Sequence, residues 1–285
     1  MLTRRSFAQL ITAALALPSN ALAQPDNHLA ASQFSVMMWA LNKQCTFEQN
    51  LERVAQAGYR HIQLVDEFKH WSDDDKRRIL ARMKTLGISV DAMAGMTTGF
   101  ANPTGSEAFL ADLKALIPIA HQLQCNQIIL LSGKRIETSS SQHEASIATL
   151  RQAAELLRAG NIVGVIEPID RLENPTIYLD GVTEAFEMTK AVASPNIKVL
   201  YDLYHEQRGF GNLIEKLDQN IAEVGLIHVA DVPGRHEPGT GEINYSNIYR
   251  KLAQLNYKGN IAMEFYPTGD VVKTLQRARE EAMRP

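Results

Sequence analysis

The chain has 285 residues, 29 Lys and Arg against 32 Asp and Glu, and a net charge of −3. That length allows one large domain or two ordinary ones, and 45% hydrophobic with 21% charged residues is the composition of a soluble protein with a large core. The slightly acidic balance excludes an electrostatic basis for binding nucleic acid or an anionic membrane surface.

At the start of the chain, Thr3-Arg4-Arg5-Ser6-Phe7 precedes an apolar stretch over 10–17 and then Ala21-Leu22-Ala23. A charged start, a short apolar run and a small-x-small site form a secretory signal. The paired arginines before Ser-Phe point to the twin-arginine export machinery. Residues 1–23 are therefore expected to be a signal peptide cleaved after Ala23, and 24–32 a flexible segment. The domain proper is 33–285, exported to the periplasm. That route carries folded proteins, so a ligand can be taken up before crossing. No later segment is long and apolar enough to span a membrane, so no membrane contact is expected after cleavage.

From there the pattern alternates. β-rich runs fall near 34–39, 60–65, 88–93, 126–131, 162–167, 197–202, 225–230 and 260–265. Apolar residues at three-to-four spacing predict helices near 46–57, 73–86, 106–123, 139–159, 181–193, 211–222, 245–256 and 270–282. Gly58, Gly87, Gly160 and Gly225 are placed as C-terminal caps before strands. Asp73-Asp74-Asp75 suits the positive end of the second helix. Eight strand–helix units in about 255 residues predict a single (β/α)8 TIM barrel of the α/β class. An open doubly wound sheet is the alternative, but Ser35-Val36-Met37-Met38-Trp39-Ala40 carries no glycine-rich phosphate loop, and no linker divides the chain. Cys45 and Cys125 fall at opposite barrel ends, which predicts two free thiols. The long irregular stretches 94–105, 168–180 and 231–244 all follow strands, so they belong to the face that carries barrel active sites.

Four ionisable side chains end apolar strand-like runs in the second half: Glu167 in Val165-Ile166-Glu167-Pro168, Asp202 in Val199-Leu200-Tyr201-Asp202, His228 in Leu226-Ile227-His228-Val229, and Glu264 in Ile261-Ala262-Met263-Glu264. A charge at a buried strand end is costly unless something neutralises it. Singly, each has an ordinary explanation as a cap, an ion-pair partner or a core histidine. Together, on four successive strands of a barrel, they predict a site for one divalent ion, Mn²⁺, Mg²⁺ or Co²⁺. A metal beside a carbonyl acidifies the adjacent C–H, and Glu167 and Glu264 are then the carboxylates that remove and return the proton. His205, three residues after Asp202, is expected in the loop above the metal as a donor to a substrate oxygen. Arg235, in the glycine- and proline-rich stretch 231–245, is expected to pair with a substrate oxygen or carboxylate. His236 and Glu237 are expected behind it. Lys134, in Ser132-Gly133-Lys134-Arg135, is expected to offer a cation to a small acid, and Trp39 and Trp71 either wall the pocket or pack the core.

Glu167-Pro168-Ile169-Asp170, Tyr201-Asp202-Leu203-Tyr204-His205-Glu206-Gln207-Arg208 and the stretch 230–245 closely resemble the hydroxypyruvate isomerase family of the xylose isomerase-like TIM barrels. The resemblance covers about 125–267 most strongly, and 231–245 is its most specific part. It implies a divalent-metal barrel that interconverts an aldehyde or aldose with a ketose through an enediol, hydroxypyruvate and tartronate semialdehyde being the pair. It also implies that Glu167, Asp202, His228 and Glu264 are ligands, the two glutamates proton shuttles, and His205 and Arg235 substrate contacts, as in ketose 3-epimerases. A homo-oligomer is compatible with this. Three positions depart from the pattern. Histidine at 228 stands where the isomerases usually have glutamine and resembles the epimerases. Gln63-Leu64-Val65-Asp66 lacks the usual glutamate and aromatic-proline turn, and 94–103 matches poorly. A ketose 3-epimerase and a metal-keeping periplasmic binding protein without turnover are therefore the rival readings. An apurinic endonuclease is disfavoured by the acidic balance and the shortage of histidines for several zinc ions.

Overall fold

The computed structural model describes residues 28–41, 45–136 and 141–284. The expected signal peptide, 1–23, lies outside the described residues. Residues 28–32, expected to belong to a flexible segment, lead into the fold: Leu29 is buried, and the 3-10 turn Ala31–Gln33 is tied across the barrel floor by the Gln33 amide, which donates to the carbonyls of Tyr257 and Gly259.

Eight strands form the barrel: β1 (Phe34–Met37), β2 (His61–Val65), β3 (Ser89–Ala94), β4 (Gln127–Leu131), β5 (Val163–Glu167), β6 (Ile197–Asp202), β7 (Val224–Val229) and β8 (Asn260–Met263). Each is parallel to and paired with the next, and β8 closes on β1 through Phe34 opposite Ile261. The helices are α1 (Phe47–Gln56), α2 (Asp73–Leu86), α3 (Ser106–Gln122), α4 (Gln142–Ala159), α5 (Val182–Val192), α6 (Leu203–Gly209), α7 (Leu213–Asn220), α8 (Tyr245–Gln254) and α9 (Val271–Ala282). The chain is thus the single (β/α)8 barrel that its rhythm predicts.

Side chains alternate between the two faces of a strand. Val36, Ile128, Ile166, Val199, Ile227 and Ile261 point outward into the large core under the helices. Met37, Ala92, Ile129, Val165, Leu200 and Leu226 form a separate small core inside the barrel. Two residues beyond Val165, Leu200 and Leu226 stand Glu167, Asp202 and His228. The period of two therefore carries the interior face up to these three at the mouth, and Glu264 follows immediately after β8.

Local caps explain several boundaries. Ser72 caps α2 and accepts from the Asp75 N–H, so the acidic run does serve the helix start. Gly87 ends α2 in the left-handed conformation, φ 65°. Gly225, expected as a helix cap, instead lies inside β7, where a Cβ would come within 2.7 Å of Lys198 Cβ on β6. The pattern predicts a loop after β6, but the chain turns at once into α6, so His205 sits on a helix. Cys45 and Cys125 are free. Among the described residues, no helix is long and apolar enough to cross a membrane.

Candidate metal centre and active site

Glu167, Asp202, His228 and Glu264 are all buried, and each offers a ligand atom within 4.8 Å of the others. How each is held differs. Asp202 is at once the last residue of β6 and the N-cap of α6. Its Oδ1 accepts the N–H groups of Tyr204 at 2.8 Å and His205 at 3.2 Å, which leaves Oδ2 for the cluster. Glu264 Oε1 accepts from Trp39 Nε1 at 2.9 Å, while its Oε2 lies 2.8 Å from His228 Nδ1 and 2.6 Å from Arg235 Nη2. His228 Nε2 lies 2.8 Å from Gln63 Oε1 on β2. The Glu167 carboxyl has no hydrogen-bond or ion-pair partner among the described residues.

The electrostatics divide the two glutamates. Burial first, and the nearby Glu264 second, push the Glu167 carboxyl up to about 7. Burial also works against charge on Glu264, but Arg235 and His228 outweigh it and hold that carboxyl well below the usual range. Burial opposes charge on His228 too, yet Glu264 and then Glu167 raise it to about 9. Three carboxyls thus face one guanidinium and the imidazoles of His228 and His205, and among the described residues the Glu167 carboxyl is paired with none of them.

Hard oxygen donors with one imidazole, close enough to share a single ion, fit a divalent cation. The orphaned Glu167 fits it as well, since a buried carboxylate without a partner is stabilised by added positive charge.

Around the cluster sit the expected substrate contacts. His205 on α6 is buried, with Nδ1 2.7 Å from Asp170 Oδ2 and Nε2 3.5 Å from Asp202 Oδ2. Burial disfavours its charge, but Asp202 and Asp170 together raise its proton affinity. Arg235 is buried and lies over the Trp39 and Tyr204 rings, with Nη2 3.3 Å from Asp202 Oδ2. Its backbone is left-handed, φ 57°, and the 231–244 loop that imposes this is built on Asp231. That carboxylate accepts the N–H groups of Val232, Gly239, Gly241 and Ile243 at 2.9–3.0 Å.

Other expected residues lie apart from the four. Lys134 is exposed on the rim, its main chain bridged to Ile177 and Gln142, and among the described residues it makes no hydrogen bond or ion pair to the cluster. His236 faces the Tyr266 carbonyl, and Glu237 accepts from Thr268, so both brace the loop after β8. Trp71 packs edge-on against Phe47, as core. Trp39, expected as wall or core, is instead a donor to Glu264.

Sequence reasoning passed over Asp170, Gln63 and Asp91 as site residues. Asp170 lay inside the Glu-Pro-Ile-Asp motif and was the legible one. Gln63 and Asp91 lie within β2 and β3, where the only signal is a polar residue in an apolar run.

Over residues 51–283 the sequence matches the family described as xylose isomerase-like TIM barrel. It is similar to the hydroxypyruvate isomerase of Escherichia coli K12, at 31% identity over 82% of this chain and 93% of the relative. In fold it resembles an AP endonuclease, family 2, of Brucella melitensis, with TM-score 0.78 and 23% identity over 86% of this chain and 96% of the other. It also resembles a D-psicose 3-epimerase of Clostridium cellulolyticum H10, with TM-score 0.71 and 20% identity over 88% and 96%. At those identities the two structures speak to fold alone. With its barrel, its mouth and these matches taken together, the chain belongs to the hydroxypyruvate isomerase family of the xylose isomerase-like TIM barrels.

Proposed function

We propose that this protein is a divalent-metal-dependent isomerase that interconverts a small hydroxy-aldehyde with its ketose isomer, in the manner of hydroxypyruvate isomerase. One observation carries the reading. Two buried glutamates share one four-residue cluster in different settings, Glu264 paired with His228 and Arg235 and Glu167 without a hydrogen-bond partner among the described residues. A reaction that takes a proton from one carbon and returns one to its neighbour needs a base and an acid together near neutral pH.

Glu167, Asp202, His228 and Glu264 would hold the ion, Mn²⁺, Mg²⁺ or Co²⁺. When bound, it would polarise the substrate carbonyl and acidify the neighbouring C–H. Ionised Glu264 takes the proton from the hydroxyl-bearing carbon, leaving an enediol. Glu167 returns one to the adjacent carbon, and the hydroxyl proton moves to the former carbonyl oxygen. Arg235 and His205 orient the substrate oxygens, Arg235 through N–H groups left over from its pairing with Glu264 and Asp202. Lys134, on the rim, meets an acidic substrate only as it approaches.

The test is conversion of hydroxypyruvate and a panel of ketoses by the mature protein with each metal, followed by NMR in D₂O. Formation of tartronate semialdehyde, with the isotope on the carbon that gains a proton, supports the reading; no turnover on any substrate with any metal defeats it. The second reading is a ketose 3-epimerase, favoured by His228 in place of the isomerases' usual glutamine. Deuterium at C3 of an unisomerised ketose would establish it, whereas tight ligand binding without turnover would mark a periplasmic binding protein. We further propose export by the twin-arginine route with cleavage after Ala23. N-terminal sequencing of the exported protein decides this, and an intact Met1 in a cytoplasmic product rejects it.

A further inference from the structure

Beneath the four donors the barrel interior holds a polar layer. Ser35 on β1, Gln63 on β2 and Asp91 on β3 are all buried there. Polar groups in such a place are retained at a desolvation cost and need partners. Gln63 has two: its Oε1 lies 2.8 Å from His228 Nε2, and its amide nitrogen donates to Ser35 Oγ at 3.3 Å. The His228 ring is thus strung between Gln63 below and Glu264 above, with Nδ1 on the side of the metal donors. The pairing of β2 with β3 skips one residue at this height, Ile62 opposite Val90 but Gln63 opposite Ala92, and Asp91 is the residue left over.

An imidazole holds a metal only through a nitrogen without a proton, and the other nitrogen then carries it. We propose that Gln63 is a positioning residue whose carbonyl oxygen accepts the His228 Nε2–H and so fixes the tautomer that turns the Nδ1 lone pair towards Glu167, Asp202 and Glu264. The inference rests on the metal reading of the site. Ser35 fixes the amide itself, because its hydroxyl oxygen accepts the Gln63 N–H and leaves the carbonyl facing the ring. An amide does this without adding charge.

The test uses the whole mature protein, chelated and then titrated with Mn²⁺ by calorimetry, as wild type, Gln63→Leu and Gln63→Met, both of which lack the accepting oxygen. Both variants should bind about 10- to 100-fold more weakly, with unchanged circular dichroism. In ¹⁵N-histidine NMR of the Zn²⁺-loaded wild type, the resonance lost in His228→Gln should report a proton on Nε2. Wild-type affinity in either folded variant, or a proton on Nδ1, overturns the inference. The wild-type spectrum decides even if neither variant folds. Wild type that binds no ion sinks the metal reading and this inference with it, whereas wild type that binds while a folded variant matches it sinks this inference alone.

Discussion

At the scale of single residues, the two glutamates carry the sharpest expectation. Glu167→Gln and Glu264→Gln keep shape while removing the group that gives or takes the proton. Each should lower kcat by at least about 100-fold, the size of a lost general acid or base, with the fold intact by circular dichroism; near-normal rates in both would end the proton-shuttle mechanism. Asp91 gives a second, independent expectation. It is buried, and neither carboxyl oxygen makes a hydrogen bond. Burial pushes it from 3.8 to about 7, although Ser35 and Gln63 sit near enough to favour its charge. The folded state therefore holds this proton more tightly than the unfolded chain. The stability this confers is complete below about pH 4 and is lost as pH rises towards 7. Asp91→Asn lacks that loss, so its stability advantage over wild type should grow by on the order of 2 kcal/mol between pH 5 and pH 8. Urea melts at the two pH values measure it, and a constant difference would show that Asp91 is not neutral in the fold. The four donors were legible because each ends an apolar run, whereas Gln63 and Asp91 were not, since their partners lie on other strands.

Elements set where those residues point. The stretch 231–244 was legible as a fixed loop because glycine and proline punctuate it, but its organiser was not, since Asp231 works by accepting four backbone N–H groups from residues as far as twelve positions away. Removing that carboxylate leaves four backbone donors unpaired, of which the buried Ile243 N–H alone costs about 1–3 kcal/mol. Asp231→Ala should therefore speed hydrogen exchange across 232–243, lower the melting temperature and reduce kcat, because Arg235 rides on this loop, while the amides of α2 on the far side keep their protection. Hydrogen-exchange mass spectrometry checks the contrast, and unchanged exchange in the loop would assign its rigidity elsewhere. The helix α6 was missed for a related reason. It is only seven residues long, and its N-cap is Asp202, which reads locally as the charged end of β6. One carboxylate does both jobs with its two oxygens, and only the folded geometry separates them.

The whole molecule brings the halves together. The alternation of strand and helix made the barrel legible, since eight units of that length leave few other topologies. Closure itself was not, because Phe34 meets Ile261 only after the chain has gone once around. The same non-local geometry lets the turn after β1 supply Trp39, and β2 supply Gln63, to donors after β8 and on β7. It also concentrates negative charge at one end of the barrel, where Glu167 has no hydrogen-bond or ion-pair partner among the described residues. A cation that binds there binds the folded chain and not the unfolded one, so it should stabilise the barrel by RT ln(1 + [L]/Kd), about 4 kcal/mol at a thousandfold excess over Kd. For a barrel of this size that is a rise of roughly 10 °C in melting temperature. Adding Mn²⁺, Co²⁺ or Mg²⁺ to chelated protein should produce it, and EDTA should reverse it. Glu264→Gln should shrink the rise, since it removes a charged donor, whereas Lys134→Ala on the rim should leave it whole. Calorimetric melts with and without metal measure all of these, and a melting temperature indifferent to every ion would mean that the buried charges at the mouth are balanced by the protein alone.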